Sequence, residues 1–133
     1  MMHKKLIYYL AGPMSGVPET NYPLFKRVTA ELRAQGLTVI NPGENFEGKR
    51  EGIARAAFLR TDWHNILYHA NALIFLPGWE GSAGATSEFT LGRELGYPLF
   101  LWHEGNQPTA CLRQMDPKGY PPVKMDRLTR AGL

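Results

Sequence analysis

Short apolar runs alternate with longer amphipathic segments along most of this chain. Four runs, each bounded by glycine, proline or polar residues, predict strands that are buried on both faces of a sheet: Lys5–Ala11, Leu37–Ile40, Ala72–Leu76 and Pro98–Trp102. Between them, apolar positions that recur every three or four residues predict three helices: about Tyr22–Gln35, Ile53–Ala70 and about Ala85–Leu95. This alternation predicts an α/β fold with a doubly wound parallel sheet and helices on both of its faces.

The pattern after the fourth predicted strand is weaker. Thr109–Met115 predicts a short helix, and Pro122–Met125 predicts a fifth strand at the sheet edge before a helical tail. We therefore expect four to five strands. The polar segment Gly43–Gly52 is long for a connection and predicts a lid or a rim of a substrate site. At 133 residues the chain is long enough for one core but not for two, so residues 1–133 are predicted to form a single domain.

Two of the predicted helices carry a single carboxylate on an otherwise apolar face. The two faces follow helical spacing: Ala85, Glu88, Gly92 and Leu95 on one helix, and Leu59, Asp62, Ile66 and Ala70 on the other. Each carboxylate has an ordinary explanation, because Glu88 can be stabilised by the helix dipole and Asp62 can pair with Arg60 or another surface cation. The alternative is a nucleophile and a partner that face one crevice. Paired carboxylates of this kind are typical of glycosidic-bond cleavage.

Two glycine-rich loops predict the place where a ligand binds. One loop, Gly12–Pro18, follows the first strand, and the other, Pro77–Gly84, joins the third strand to a helix N-terminus, where free N–H groups favour an anion. In doubly wound sheets, ligands bind beyond the carboxyl ends of the strands, where the strand order reverses. We expect one concavity that binds phosphate and stacks a base on an indole ring, lined by Gly12, Ser15, Ser82, Gly84 and Trp79.

Composition narrows the classes of partner. The formal net charge of +3 slightly favours anionic small ligands, and the scattered Lys and Arg residues predict no polymeric nucleic acid. The single cysteine, Cys111, excludes a disulfide within the chain and is typical of the cytoplasm. No segment is long enough to span a membrane. We predict no cofactor and no metal, because phosphate-loop and dinucleotide fingerprints are missing and the histidines have no ligand spacing.

The segment Ser82-x-Gly84-x-x-x-Glu88 resembles the phosphate loop and catalytic glutamate of the 2'-deoxynucleoside 5'-phosphate N-hydrolases. These enzymes belong to the nucleoside 2-deoxyribosyltransferase superfamily, and the resemblance extends from Ile7 to about Leu128. It implies a flavodoxin-like sheet of order 2-1-3-4-5 and a homodimer or larger assembly. It also implies that Glu88 is the nucleophile, that Asp62 assists the nucleophile and the leaving base, and that the hydroxyl of Tyr8 holds the nucleophile.

Two residues depart from the pattern of the superfamily. Asn71 stands where members often carry Asp before the third strand, and Ser82 stands where the transferases carry an acidic residue. The second departure favours a phosphorylated ligand over transfer between unphosphorylated nucleosides. We therefore expect cleavage or transfer at the N-glycosidic bond of a nucleoside or nucleoside 5'-monophosphate. The alternative is a non-catalytic nucleotide sensor on the same fold, whereas a purely structural module leaves both carboxylates unexplained.

Overall fold

A computed structural model describes residues 5–105 and 111–119 of the chain. Its strands form one sheet in the order β2-β1-β3-β4-β5. The first four strands pair in parallel, and β5 runs antiparallel to β4. The strand bounds are β1 Ile7–Ala11, β2 Thr38–Ile40, β3 Ala72–Phe75, β4 Leu99–Trp102 and β5 Leu112–Gln114. The predicted flavodoxin-like fold and its strand order are confirmed.

Three α-helices cover the two faces of the sheet: α1 Tyr22–Ala34, α2 Arg55–Tyr68 and α3 Ala83–Glu94. On one face, α1 packs through Phe25, Val28 and Leu32 against the even-numbered residues of β1 and β3. The other face carries α2 and α3, which pack against the odd-numbered residues of the same strands. This segregation follows from strand geometry, because successive side chains point to opposite faces.

The end of the sheet differs from the prediction. The described part of Thr109–Met115 contains β5 rather than a short helix, so that prediction is wrong. The reason is tertiary: the open edge of β4 offers hydrogen bonds, and the Met115 N–H donates to the Leu99 carbonyl at 2.7 Å. The sheet is therefore not entirely parallel. The strand predicted at Pro122–Met125 and the tail beyond it lie outside the described residues.

Over residues 5–105 and 111–119, no helix is both long enough and apolar enough to cross a bilayer.

Gly92 lets α3 lie directly on the sheet. A Cβ at this position would stand 2.4 Å from Leu73 Cδ1 and 3.1 Å from Leu99 Cδ2. Both leucines are fully buried, so neither side chain has room to move away. Gly84, in the first turn of the same helix, is different, because the nearest atom to an added Cβ is the Ser82 Oγ at 4.0 Å.

These two glycines give a matched pair of predictions. Gly92→Ala should lower the free energy of unfolding by roughly 1–3 kcal/mol, because overpacking outweighs the gain in helix propensity. Gly84→Ala should leave stability unchanged or raise it by up to about 1 kcal/mol. Denaturant unfolding of the two variants and the wild type measures both effects. Equal stability of the two variants would contradict the close approach of α3 to the sheet.

Candidate active site

The site lies beside β1 and β3, the two strands between which the strand order reverses. The chain segments that follow these strands run side by side, since the Leu76 N–H donates to the Ala11 carbonyl at 2.8 Å. Gly12 is required for this approach, because a Cβ there would stand 2.8 Å from Leu76 Cβ. Gly78 has a φ of 85° and faces Pro13 of the neighbouring loop. The two loops that follow these strands are therefore in contact, and the ligand crevice predicted beside them stays a prediction.

Tyr9, Asp62 and Glu88 come together on the face that α2 and α3 cover. The Tyr9 hydroxyl is hydrogen-bonded to the carboxyl groups of both Asp62 and Glu88. Tyr9 is 1% exposed and Glu88 is 8% exposed. A hydroxyl donates only one proton, so it satisfies one carboxylate as donor. The second carboxyl group can then bond to the hydroxyl oxygen only by donating a proton of its own. The arrangement therefore favours a pair of carboxyls that shares a single proton.

Burial controls the ionisation of this pair. Desolvation raises the pKa of Glu88 to about 8, the negative charge of Asp62 adds to the rise, and the Tyr9 hydrogen bond opposes it. Desolvation also raises the pKa of Asp62, to about 6. Hydrogen bonds from Asn45 and Tyr9 and the charge of Arg50 oppose this rise. Near neutral pH the two carboxyls together hold one proton. The pKa of Tyr9 lies well above its ordinary value, mainly through burial, so its hydroxyl remains a donor.

The tyrosine beside the carboxylates is Tyr9 and not Tyr8. Tyr8 points to the opposite face of β1, where its ring packs edge-on against Phe100 at 5.6 Å between centroids. The placement of Tyr8 at the nucleophile is therefore wrong by one residue, and in a strand one residue exchanges the two faces. Two adjacent tyrosines were visible in the sequence. The choice between them required knowing which face of the sheet α2 and α3 cover.

Both carboxylate-bearing stripes are confirmed in part. Ile66 is buried on α2 and Ala70 is buried just beyond its end, and Ala85 and Gly92 are buried on α3 with Glu88 between them. The outer members of the two stripes are wrong: Leu59 is 38% exposed and Leu95 is 41% exposed. Helical spacing predicts which residues share a face, but the length over which that face stays covered depends on the neighbouring elements.

Trp79 is a core residue. It is 5% exposed, stacks on Phe89 with 5.0 Å between ring centroids, and contacts Phe75 at 4.9 Å. This burial contradicts the prediction that its indole ring stacks on a ligand base. The aromatic cluster instead anchors the turn that connects β3 to α3.

The predicted anion loop begins α3. Ser82 is the N-cap of α3, and its Oγ accepts the Ala85 N–H at 3.2 Å. Gly84 faces open space within the first turn. Ser15 is exposed in the turn after β1, and Gly12 has the packing role described above. Contact of these four residues with a ligand stays a prediction.

Asn71 directly precedes β3 and lies at the opposite end of the strands from the loops that follow β1 and β3. Its Oδ1 accepts the Ile7 N–H at 2.6 Å, and its Nδ2 donates to the Lys5 carbonyl at 3.0 Å. The side chain therefore ties the start of β1 to the start of β3. The departure from the superfamily at this position does not alter the carboxylate pair.

Two side chains at the site had no separate signal in the sequence. Asn45 Nδ2 donates to Asp62 Oδ1 at 2.7 Å, and Arg50 adds a positive charge near the same carboxylate. Both lie in the segment that was predicted only as a rim. Over the described ranges, no group of three or more His, Cys, Asp or Glu residues is placed to hold a metal ion. The chemistry available to the described site is that of two carboxyls, a tyrosyl hydroxyl, an amide and a guanidinium.

A flavodoxin-like α/β sheet, with one buried and one partly buried carboxyl on the face that α2 and α3 cover, defines the class of this protein. The chain belongs to the family described as Domain of unknown function (DUF4406), whose model matches residues 6–101. No curated protein matches it.

Two solved structures resemble the fold. One is a 2-deoxyribosyltransferase from the psychrotolerant bacterium Bacillus psychrosaccharolyticus, with a TM-score of 0.57 and 21% identity over 88% of this chain and 96% of that one. The other is a conserved protein from Enterococcus faecalis V583, with a TM-score of 0.58 and 17% identity over 97% of this chain and 76% of that one. At these identities the likeness shows a common fold. The resemblance to the nucleoside 2-deoxyribosyltransferase superfamily is thus confirmed at the level of the fold.

The raised pKa of Glu88 makes stability depend on pH. The folded protein holds the Glu88 proton up to about pH 8, whereas an unfolded chain releases it near the ordinary value of 4.5. Between these values the unfolded state binds fewer protons, so the stability contributed by this group falls as pH rises. Glu88→Gln removes the group that must ionise. The variant should therefore be more stable than the wild type at about pH 8, by a few kcal/mol at about 1.4 kcal/mol per pKa unit.

Melting curves near pH 4 and near pH 8 test this expectation, because the advantage of Glu88→Gln should disappear at about pH 4. Glu94→Gln is a matched control, since Glu94 is an exposed residue of the same helix. A Glu88→Gln variant that is less stable than the wild type at the higher pH would show that the carboxylate is a structural group.

Proposed function

We propose that this protein cleaves the N-glycosidic bond of a nucleoside or nucleoside 5'-monophosphate, by hydrolysis or by transfer to a second base. Glu88 acts as the nucleophile and Asp62 as the proton donor to the leaving base. Tyr9 orients the nucleophile in place of Tyr8. The observation that supports this proposal is the hydrogen bonding of one tyrosyl hydroxyl, that of Tyr9, to both the buried carboxyl of Glu88 and the partly buried carboxyl of Asp62.

The reaction has two displacements. In the first, a carboxylate oxygen of Glu88 attacks the anomeric carbon, the bond to the base breaks, and the base nitrogen takes the bonding electrons and the proton of Asp62. In the second, Asp62 accepts a proton from water, the resulting hydroxide attacks the anomeric carbon, and the carboxylate of Glu88 is released. When a second base replaces water, the result is transfer.

The pair holds the one proton that these roles need, but without substrate the higher pKa of Glu88 places that proton on Glu88 rather than on Asp62. The reactive form needs an ionised Glu88 and a protonated Asp62, which together carry one proton. The pKa values of about 8 for Glu88 and about 6 for Asp62 give the pair one proton between those pH values. In the reactive form the Tyr9 hydroxyl donates to the ionised carboxylate of Glu88. Activity should therefore be greatest between about pH 6 and pH 8.

The start of α3 supports a phosphorylated substrate. The first N–H groups of a helix have no partner within the helix, and the dipole adds positive potential there. Gly84 leaves room for a phosphate to approach the backbone, and Ser82 orients the turn through its bond to the Ala85 N–H. Gly12 and Ser15 belong to the adjoining loop. A cytoplasmic location suits such a nucleotide-processing role and agrees with the single cysteine, Cys111.

One observation favours the alternative, a nucleotide sensor without catalysis. A pKa of about 8 leaves most Glu88 side chains protonated at neutral pH in the absence of ligand, and a protonated carboxyl is a poor nucleophile. A sensor would use the same crevice for binding alone. Catalysis requires that the bound substrate favour the ionised form of Glu88.

The decisive experiment replaces each carboxylate and measures base release. The protein is incubated with a panel of nucleosides and nucleoside 5'-monophosphates, free base is measured by chromatography, and binding is measured in parallel. Glu88→Gln should lower turnover by roughly three orders of magnitude or more, because the covalent route is lost. Asp62→Asn should lower it less, and Glu94→Gln on the exposed face of α3 should leave it unchanged.

Each outcome separates the candidate functions. Binding by the wild type without base release identifies a sensor. Base release that persists in Glu88→Gln excludes Glu88 as the nucleophile.

We also propose that the protein forms a homodimer or a larger assembly in which a neighbour completes the pocket. Support comes from α2, where Leu59, Trp63 and Leu67 lie four residues apart and are 38%, 40% and 41% exposed. An exposed apolar stripe on one helix is typical of a contact between subunits. The predicted helical tail near the end of the chain lies outside the described residues and carries no part of this argument.

Light scattering tests the assembly. The wild type at micromolar concentration should have the mass of two or more chains, and Trp63→Glu should shift it towards a single chain, because a charge would be buried in the contact. Leu95→Glu is the control, since Leu95 is about as exposed as Trp63 but lies outside the exposed apolar stripe of α2. A wild type with the mass of one chain and full activity contradicts the assembly.

A further inference from the structure

The segment between β2 and α2 reaches into the site through one side chain. Asn45 Nδ2 donates a hydrogen bond of 2.7 Å to Asp62 Oδ1. The two residues are 17 positions apart and belong to different elements, so the contact is tertiary. An amide that holds one carboxylate oxygen prevents the carboxyl group from rotating unless this bond breaks.

Phe58 fixes the segment on α2. It precedes Asp62 by one helical turn and is 8% exposed. The Phe46 ring packs edge-on against it with 5.0 Å between centroids, and the Arg50 guanidinium lies 4.2 Å from its ring centroid. Arg50 Nη1 also donates to the Tyr22 hydroxyl at 2.9 Å, which connects the segment to α1. Phe46 and Arg50, which follow Asn45 in the chain, therefore both pack on the turn of α2 that precedes Asp62.

The backbone of the same segment is strained. Asn45 is extended, and the next two residues, Phe46 and Glu47, adopt φ values of 56° and 57°. This left-handed region is unfavourable for residues with a Cβ and is maintained only when surrounding contacts hold it. The turn reverses the chain immediately after Asn45. It allows the Asn45 amide to point at α2 while the Phe46 ring packs on Phe58.

We propose that Asn45 is a positioning residue for Asp62: it holds the carboxyl group in the orientation from which the proton reaches the leaving base. This inference rests on the proposed function, which assigns that proton transfer to Asp62. It goes further by giving a role to the β2–α2 segment. The strained turn at Phe46–Glu47 and the contacts on Phe58 keep the amide in place.

The groups that face Asp62 determine how removal of Asn45 will be seen. They are Tyr9 from β1, Glu88 from α3, and Asn45 and Arg50 from the segment itself. A hydrogen bond donated to a carboxylate favours its ionised form. The pKa of Asp62 should therefore rise when the Asn45 amide is removed, and more when a negative charge replaces it.

The test compares Asn45→Ala and the isosteric Asn45→Asp with the wild type. Carbon-13 NMR of the labelled Asp62 carboxyl follows its titration, and the Asp62→Asn variant assigns the signal. The pKa of Asp62 should rise by roughly one unit in Asn45→Ala and by more in Asn45→Asp. In the base-release assay, kcat should fall by about tenfold to a hundredfold while KM changes little. The acidic limb of the pH profile should move up with the pKa of Asp62.

Glu51→Gln is the matched control, because it changes an exposed charge in the same segment and leaves Asn45 and the strained turn as they are. Melting curves confirm that each variant is folded. An unchanged pKa of Asp62 in both Asn45 variants overturns the inference, and so does a shifted pKa with unchanged kcat. If the wild type releases no base, the proposed function fails, and the pKa of Asp62 alone decides whether Asn45 holds its carboxyl group.

Discussion

Two carboxyl groups share one tyrosyl hydroxyl inside the face of the sheet that α2 and α3 cover. Removing Glu88 and Asp62 from water raises the pKa of each, and their mutual repulsion adds to the rise for Glu88. The protein reduces this penalty with hydrogen bonds from Tyr9 and Asn45 and with the charge of Arg50. It does not remove the penalty, because no cation in the described part of the chain forms a close ion pair with either carboxyl. The site therefore costs stability, and its two carboxyl groups titrate near neutral pH rather than near their ordinary values.

The rest of the fold fixes the positions of the strands and helices that carry these groups. Close approaches at Gly92 and Gly12 hold α3 on the sheet and join the loops after β1 and β3. The stacked rings of Trp79 and Phe89 anchor the turn before α3. Asn71 ties the start of β1 to the start of β3, at the other end of the strands. These contacts set the positions of the elements that carry the carboxylates. Gly12 and Trp79, which the sequence places in predicted ligand loops, therefore have packing roles.

Among the described residues, non-glycine residues with left-handed backbone lie in the segments that connect or begin these elements. The segment after β2 holds Asn45 against Asp62 through a strained turn, and the segment before α1 contains three consecutive residues with positive φ, from Glu19 to Asn21. Left-handed backbone at residues with a Cβ persists only when other contacts enforce it. In both segments those contacts reach the loops or helices around the crevice. The Asn21 amide, for example, donates to the Pro13 carbonyl at 2.9 Å.

The strand order 2-1-3-4-5 was implied by the resemblance to the nucleoside 2-deoxyribosyltransferase superfamily. Local pattern alone predicted the first four strands, the three helices and the inward position of Glu88 and Asp62, because period and glycine placement are properties of short segments. It did not distinguish Tyr9 from Tyr8, since the two faces of a buried strand are equally apolar and only the side taken by α2 and α3 separates them. It likewise missed the antiparallel β5, the burial of Trp79 and the reach of Asn45 to Asp62. Each of these depends on contacts between residues distant in sequence, and only the folded chain brings such residues together.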